Sequence, residues 1–191
     1  LSRFGGKVLV TGAKRPEGDT VKEQAHNFVE SMKKDAEFAA KHGVTIGIEN
    51  HAKTAINSPD SIRYYSELIN FPNFGLAMAP YHLPQEPQEI ASLITDIGEK
   101  VVFFQAWEYG KGCMEKMPKE QELMQMPGRG GLDFKPIIGA LKKINYRGWT
   151  EIFMHPTPSG IAILDTNEQV TAEINRSRDY LEHCLTAVAS T

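Results

Sequence analysis

The sequence predicts an α/β fold built on a parallel sheet. Three observations predict it. Short β-branched or aromatic runs alternate five times with longer stretches of helical apolar periodicity, an alternation that calls for right-handed crossovers. Strand-like runs end abruptly in polar residues, as strands do where a parallel α/β fold builds its site. No linker or change of composition interrupts the 191 residues, so a single domain over 1–191 is expected.

The elements follow in order. Residues 7–11 form the first strand, with Val8-Leu9-Val10 flanked by glycines. In the first helix Thr20 and Glu23 make a capping box, and Ala25, Phe28, Val29, Met32, Ala36 and Ala39 share one face. Gly43 closes that helix. Residues 44–48 are the second strand, running into Glu49-Asn50-His51. Ser58 and Pro59 start the second helix, with Ile62, Tyr65 and Ile69 inward. Residues 74–79 are the third strand and lead into Pro80-Tyr81-His82. Ile90, Leu93, Ile94 and Ile97 line a helix stopped by Gly98. Residues 101–107 are the fourth strand.

Residues 108–131 form the longest irregular stretch, and loops of that length in compact domains are functional or disordered. Met114, Met117, Met124 and Met126 read as its packing. Asp133 caps the next helix, with Ile137, Ile138, Leu141 and Ile144 inside. Residues 149–154 are the fifth strand, followed by His155-Pro156. The last helix, near 167–188, carries a stripe of Val170, Ile174, Leu181, Leu185 and Val188.

Composition removes several functions. A net charge of −3 offers no basic field for nucleic acid or an anionic membrane. No apolar run reaches the eighteen or so residues that a membrane span needs. Cys113 and Cys184 lie far apart in no metal-type spacing and read as reduced thiols of an intracellular domain, so a cytoplasmic location is expected. The words Val8-Leu9-Val10-Thr11-Gly12-Ala13, then Gly18, raise a dinucleotide-binding alternative. It fails on two counts: Arg15 or Pro16 holds the middle glycine position, and no tyrosine has a lysine four residues later.

Five motifs in order carry a resemblance. They are Gly47-Ile48-Glu49-Asn50-His51; Phe74-Gly75-Leu76 through Pro80-Tyr81-His82; Pro127-Gly128-Arg129-Gly130-Gly131-Leu132-Asp133-Phe134; Ala140-Leu141; and Tyr146-Arg147-Gly148-Trp149-Thr150-Glu151. Together they resemble the xylose isomerase-like TIM barrel proteins, which include sugar and sugar-phosphate isomerases and epimerases and have endonuclease IV as a relative. The resemblance implies a (β/α)8 barrel of which the last five β/α units are present. The chain is then expected to begin inside the fold, and these residues alone are expected to self-associate through open sheet edges.

In such enzymes a divalent metal (Mn, Mg, Zn or Co) is held by a Glu, an Asp, a His and a second Glu from successive strands. The matching positions here are Glu49, Ala79, Gln105 and Glu151, so the resemblance implies a weakened metal site, with His82 or Glu108 as substitute ligands. Glu49 and Glu151 become the expected acid and base for proton transfer beside a sugar carbonyl, through an enediolate. His51, His82 and His155 each follow a strand. Any one alone reads as a structural histidine, but together they read as binders of sugar hydroxyls or replacement ligands. Gln105 offers an amide oxygen to a cation or a hydroxyl. Trp107 reads as a ring platform or as core. Arg129 would pair with a substrate carboxylate or phosphate, or with Glu108. The implied partner is a small sugar or related polyol. Two rivals remain: a non-catalytic sugar-binding domain that has lost the metal, and an endonuclease IV-like phosphodiesterase. The second needs more metal ligands and a cationic surface than this sequence has.

Overall fold

Five parallel strands hydrogen-bond side by side in the computed structural model, which describes residues 1–13, 18–109, 117–157 and 159–189. They are β1 (Val8–Gly12), β2 (Thr45–Glu49), β3 (Phe74–Met78), β4 (Val101–Ala106) and β5 (Trp149–Ile152). Their spatial order is their sequence order. A dinucleotide-binding sheet reverses its strand order at a switch point, and this one does not. Winding in one direction instead builds part of a barrel, with β1 and β5 as its open edges. Arg15 and Pro16, on which part of the dinucleotide comparison turned, lie outside the described residues, as do Cys113 and Met114.

The helices are α1 (Val21–Lys41), α2 (Pro59–Leu68), α3 (Pro87–Ile97), α4 (Phe134–Lys143) and α5 (Asn167–Ala189). Their starts follow from local chemistry. The Thr20 hydroxyl accepts the Glu23 N–H at 3.1 Å while the Glu23 carboxylate accepts the Thr20 N–H, also at 3.1 Å. Ser58 and Ser61 form the equivalent box before α2, where Pro59 fills the first turn. Asp133 caps α4 through the Lys135 N–H. The predicted inner faces of α1 to α3 are buried, with Met32 only partly so, and they join Ile46, Ile48, Phe74, Leu76, Met78 and Phe104 in one core between sheet and helices. Among the described residues no helix is long and apolar enough to cross a membrane.

The structure departs from the sequence reading in three places. β5 ends at Ile152, two residues early, because the chain beyond it leaves β4 and bonds to the long loop instead. That loop contains a 3-10 segment, Lys119–Gln125, where no regular element was expected. The third departure is in α5, which buries Glu173, Ser177, Leu181 and Cys184, so that of the expected stripe Leu181 alone is buried and Val170 and Val188 are half-buried. Ile174 and Leu185 are exposed. Polar bonds decide this rotation. Glu173 is drawn inward by Arg129 and Arg176, and Ser177 accepts a hydrogen bond from Arg176.

Candidate functional site

Side-chain phase decides which residues reach the inner face of the sheet. In β2 and β3 the large residues point to the helices, so Gly47, Glu49, Gly75 and Ala77 face inward. β4 would break the pattern without a bulge. Leu76 pairs with Val101 but Ala77 pairs with Phe103, which leaves Val102 as an extra residue. Val101, Phe104 and Ala106 pack on the helix side, whereas Val102 lies over Gly47 and Gly75. Simple alternation from Val101 would have turned Gln105 to the helices. The bulge turns it to the inner face.

Val102 also reports curvature. Strands two apart in a flat sheet lie about 9–10 Å apart. Yet a Cβ placed on Gly47 of β2 would come within 3.1 Å of Val102 of β4, and one on Gly75 would collide with Val102 and the Lys100 carbonyl. The sheet is therefore concave inward, and the two glycines make room for that curl.

At the carboxyl end of β2 the three polar residues divide their roles. Asn50 is fully buried and staples β2 to β3, donating to the Ala79 carbonyl at 3.0 Å and accepting the Ala79 N–H at 2.7 Å. Glu49 stays free of such bonds and lies 3.6 Å from His82 Nε2, an ion-pair distance if the ring is protonated but too long for a hydrogen bond. His51 accepts the Lys53 N–H through Nδ1, and its ring centroid is 4.1 Å from that of His82. Burial, then the neighbouring His82, holds the His51 imidazole below its ordinary value.

An aromatic wall stands beside them. Tyr81 and Trp107 stack with centroids 3.7 Å apart and planes within 2° of parallel. Trp107 meets His82 edge-on at 5.2 Å and Phe153 at 4.8 Å. His155 is exposed at the rim, 6.1 Å from Trp107. The His82 side chain is 1% exposed, and neither ring nitrogen has a hydrogen-bond partner among the described residues. On the far side Gln105 Nε2 donates to Glu151 Oε2 at 3.2 Å, while buried Gln105 Oε1 has no partner among the described residues. An unpartnered buried polar group costs about 1–3 kcal/mol, so two such groups at the same end of the sheet point to a ligand that completes them.

Glu49, His51, His82, Gln105, Trp107, Glu151 and His155 thus share one end of the sheet. Glu108 and Arg129 are bound elsewhere. Glu108 is fully buried, and its two oxygens accept the Arg129 N–H at 3.2 Å and the Leu132 N–H at 2.7 Å. Burial pushes its carboxyl up, against the backbone N–H groups of residues 128–132. Its role is to hold that turn. Gly130 permits the approach, since a Cβ there would lie 2.9 Å from the carboxylate. The Arg129 guanidinium pairs not with Glu108 but with Glu173, through two bonds of 2.6 and 2.7 Å.

Sequence reasoning missed Gln125 and Glu122. Gln125 Oε1 accepts the Trp107 indole N–H at 3.0 Å and the His155 N–H at 2.6 Å. Its Nε2 donates to the His155 carbonyl at 3.1 Å. One side chain thereby ties the loop after β4 to the loop after β5. Glu122, also buried, accepts the Thr157 N–H at 2.8 Å and has Lys119 Nζ 2.6 Å from its other oxygen, off the direction of a hydrogen bond. The signal was hidden because Glu120-Gln121-Glu122-Leu123-Met124-Gln125 has the composition of a solvated loop. Of the four methionines, Met117 and Met126 are buried and Met124 is partly exposed.

The implied metal can be tested against this donor set. Ala79 offers no side-chain donor. Gln105 turns its amide NH2 toward Glu151, an orientation set by the acceptor-only carboxylate. The acidic and imidazole donors fall into separate contacts, Glu49 with His82 and Glu151 with Gln105. Among the described residues no group of three or more His, Cys, Asp or Glu could hold an ion. The donor set does not fit a four-ligand divalent site.

Comparisons with known proteins agree with this architecture. L-ribulose 3-epimerase of Methylomonas sp. (strain DH-1) is 27% identical over 151 residues, covering 77% of this chain and 48% of that protein. Inosose dehydratase of Glaesserella parasuis serovar 5 (strain SH0165) is 23% identical over 151 residues, covering 72% of this chain and 50% of that one. The chain spans about half the length of these curated relatives. A crystal structure of D-psicose 3-epimerase in the presence of D-fructose superposes with a TM-score of 0.71 at 15% identity, over 96% of this chain and 66% of that one. The model of the family described as xylose isomerase-like TIM barrel matches residues 1–181. Sequential parallel strands, an inward-curled sheet and polar residues gathered at its carboxyl end are what that match requires, and the chain belongs to this family.

Proposed function

We propose that the protein transfers protons at a carbon next to the carbonyl of a sugar or related polyol, as an isomerase or epimerase. Glu49 and Glu151 are the acid and base. The observation that carries this reading is the setting of the two carboxylates. Glu49 ends β2 and Glu151 is the last residue but one of β5, at the same end of the sheet, with the His82 ring and the Gln105 amide oxygen, both unpartnered among the described residues, beside them. The similarity to an L-ribulose 3-epimerase supports it, because epimerisation beside a ketone begins with removal of that proton.

In this reading one carboxylate takes the proton from carbon, and the bonding pair moves toward the carbonyl oxygen. That oxygen needs a hydrogen-bond donor, which the His82 ring supplies. Return of a proton by the second carboxyl to the opposite face of the same carbon inverts the centre, whereas delivery of the proton to the former carbonyl carbon, with the hydroxyl proton of the deprotonated carbon passing to the former carbonyl oxygen, isomerises the sugar. The Tyr81–Trp107 wall covers the apolar face of the ring or chain.

A second reading is a non-catalytic sugar-binding domain. Ala79 and Gln105 favour it, since they remove a carboxylate and an imidazole from the family pattern. Incubation with a panel of ketoses and aldoses in deuterated water separates the two. The enzymatic reading expects deuterium at the carbon beside the carbonyl, lost in Glu49→Gln and Glu151→Gln. Binding without exchange in the unaltered protein would leave the second reading.

A further inference from the structure

We infer that Gln105 gives this centre a metal-independent way of holding its ligand. Its Nε2 fixes Glu151, and its Oε1 is the acceptor for a hydroxyl of a bound neutral polyol. The inference rests on the proposed polyol ligand but not on catalysis.

Three observations lead to it. The bulge at Val102 turns Gln105 to the inner face, so its side chain is placed in the site by the backbone. Gln105 is 5% exposed and donates to Glu151 at 3.2 Å. Because a carboxylate can only accept, that bond dictates which end of the amide is which, and the buried oxygen is left without a donor among the described residues. A hydroxyl is the complementary group. It donates to Oε1, and a polyol carries further hydroxyls for the His82 ring nitrogens, which are likewise buried and unpartnered among the described residues. A cation is the poorer occupant. Ala79 supplies no donor, Gln105 is neutral, and no cluster of three acidic, imidazole or thiol side chains forms among the described residues.

The test combines metal analysis with binding. Purified protein is assayed for Mn, Zn, Mg and Co by mass spectrometry. The sugar panel, including mono-deoxy ketoses, is titrated by calorimetry with and without EDTA. We expect less than 0.1 ion per chain and a Kd that EDTA changes by less than about twofold. Gln105→Met keeps the volume and removes the acceptor, and it should weaken binding of the preferred ketose about tenfold, the usual size of one well-made hydrogen bond. One mono-deoxy ketose should bind the unaltered protein equally weakly and lose nothing further in Gln105→Met, a non-additivity that a purely structural role would not produce. Gln105→Asn, with circular dichroism on both variants, controls for folding.

A stoichiometric bound ion, a tenfold loss with EDTA, or unchanged affinity in Gln105→Met would each overturn the inference. A panel without any binder would overturn it together with the proposed ligand class. Gln105-dependent binding without deuterium exchange would leave the inference standing and sink the enzymatic reading alone.

Discussion

β3 and β5 lie two strands apart in one sheet and differ in almost everything but direction. Every residue of β3 is buried, whereas Trp149 at the start of β5 is 70% exposed and Thr150 is exposed as well. β3 has a strand on each side, and among the described residues β5 has one on the β4 side alone. β1 repeats the edge condition, with Leu9 46% exposed. An apolar groove lined by Leu9, Phe28, Met32, Phe38, Val44 and Ile46 runs beside β1, and another lined by Ile138, Leu141, Tyr146, Ile152 and Leu185 runs beside β5. The site straddles this difference. Glu49 and Gln105 stand on the supported centre, but Glu151 stands on an edge strand, so the Gln105 amide is its one side-chain hydrogen bond among the described residues.

The sharpest test of the contrast is truncation. Phe104, on β4, is fully buried in the main core, and Phe104→Ala should cost about 3–5 kcal/mol. Trp149→Ala at the edge should change stability by no more than about 0.5 kcal/mol despite removing a larger side chain. Urea unfolding of both variants measures this. Comparable losses would mean that β5 is covered in solution and the centre-edge distinction is wrong.

The next effect is smaller and lies in the loop after β4. Glu108→Gln keeps shape but replaces one acceptor oxygen with a donor, leaving either the Leu132 or the Arg129 N–H unsatisfied. A loss of about 1–3 kcal/mol is expected, with Trp107 fluorescence little changed, because Trp107 is held by Gln125 and not by Glu108. A large spectral change with little loss of stability would place Glu108 in the site after all.

Much of this architecture was legible in the sequence, and the reasons are physical. Helices α1 to α3 bury apolar faces at regular spacing, so periodicity found them. The carboxyl-end residues Glu49, His82, Gln105 and Glu151 were legible because each interrupts or follows an apolar strand. Glu108 and Arg129 have the right residue types in the right neighbourhood, yet their partners are backbone N–H groups and Glu173, which no spacing reveals. α5 misled because its apolar residues are periodic. A buried carboxylate bridging two arginines rotated the helix so that Leu181 stays buried while Ile174 and Leu185 of that stripe face solvent. The bulge at Val102 that aims Gln105 was likewise invisible, since nothing in Val101-Val102-Phe103-Phe104 distinguishes a bulged strand from a regular one.

A pH series separates two buried carboxyls with opposite signs. For Glu173, burial raises the carboxyl, but hydrogen bonds and charge from Arg129 and Arg176 outweigh it, and the net shift is downward. Its stabilisation is present above the ordinary carboxylate value and lost as pH falls toward the lowered one. Glu108 is shifted upward, so its protonated form favours folding, and that contribution is lost as pH rises from the ordinary value through the raised one. Glu173→Gln should therefore flatten the acid limb of stability against pH. Glu108→Gln should remove a decline on the other side of the ordinary carboxylate value. Identical profiles for the two variants would contradict the assigned partners.

The smallest effect on stability accompanies a large effect on association. An unpaired parallel edge presents a row of N–H and C=O groups, and natural edges are blunted by charge, above all lysine. Leu9, 46% exposed, lies in the middle of β1, a strand whose other side pairs with β2. A polypeptide of residues 1–191 should self-associate through this edge and its apolar groove, giving weight-average masses above the monomer that rise with concentration in sedimentation equilibrium. Leu9→Lys adds charge where the side chain already meets solvent. Its cost to folding should stay within about 0.5 kcal/mol, while association falls several-fold. Lysine in place of Trp149 should act in the same way at the other edge, and the two together more than either alone. Mass that stays monomeric in the unaltered polypeptide would show that the edges protect themselves. Association that ignores both lysines would place the contact elsewhere and detach it from the difference between centre and edge.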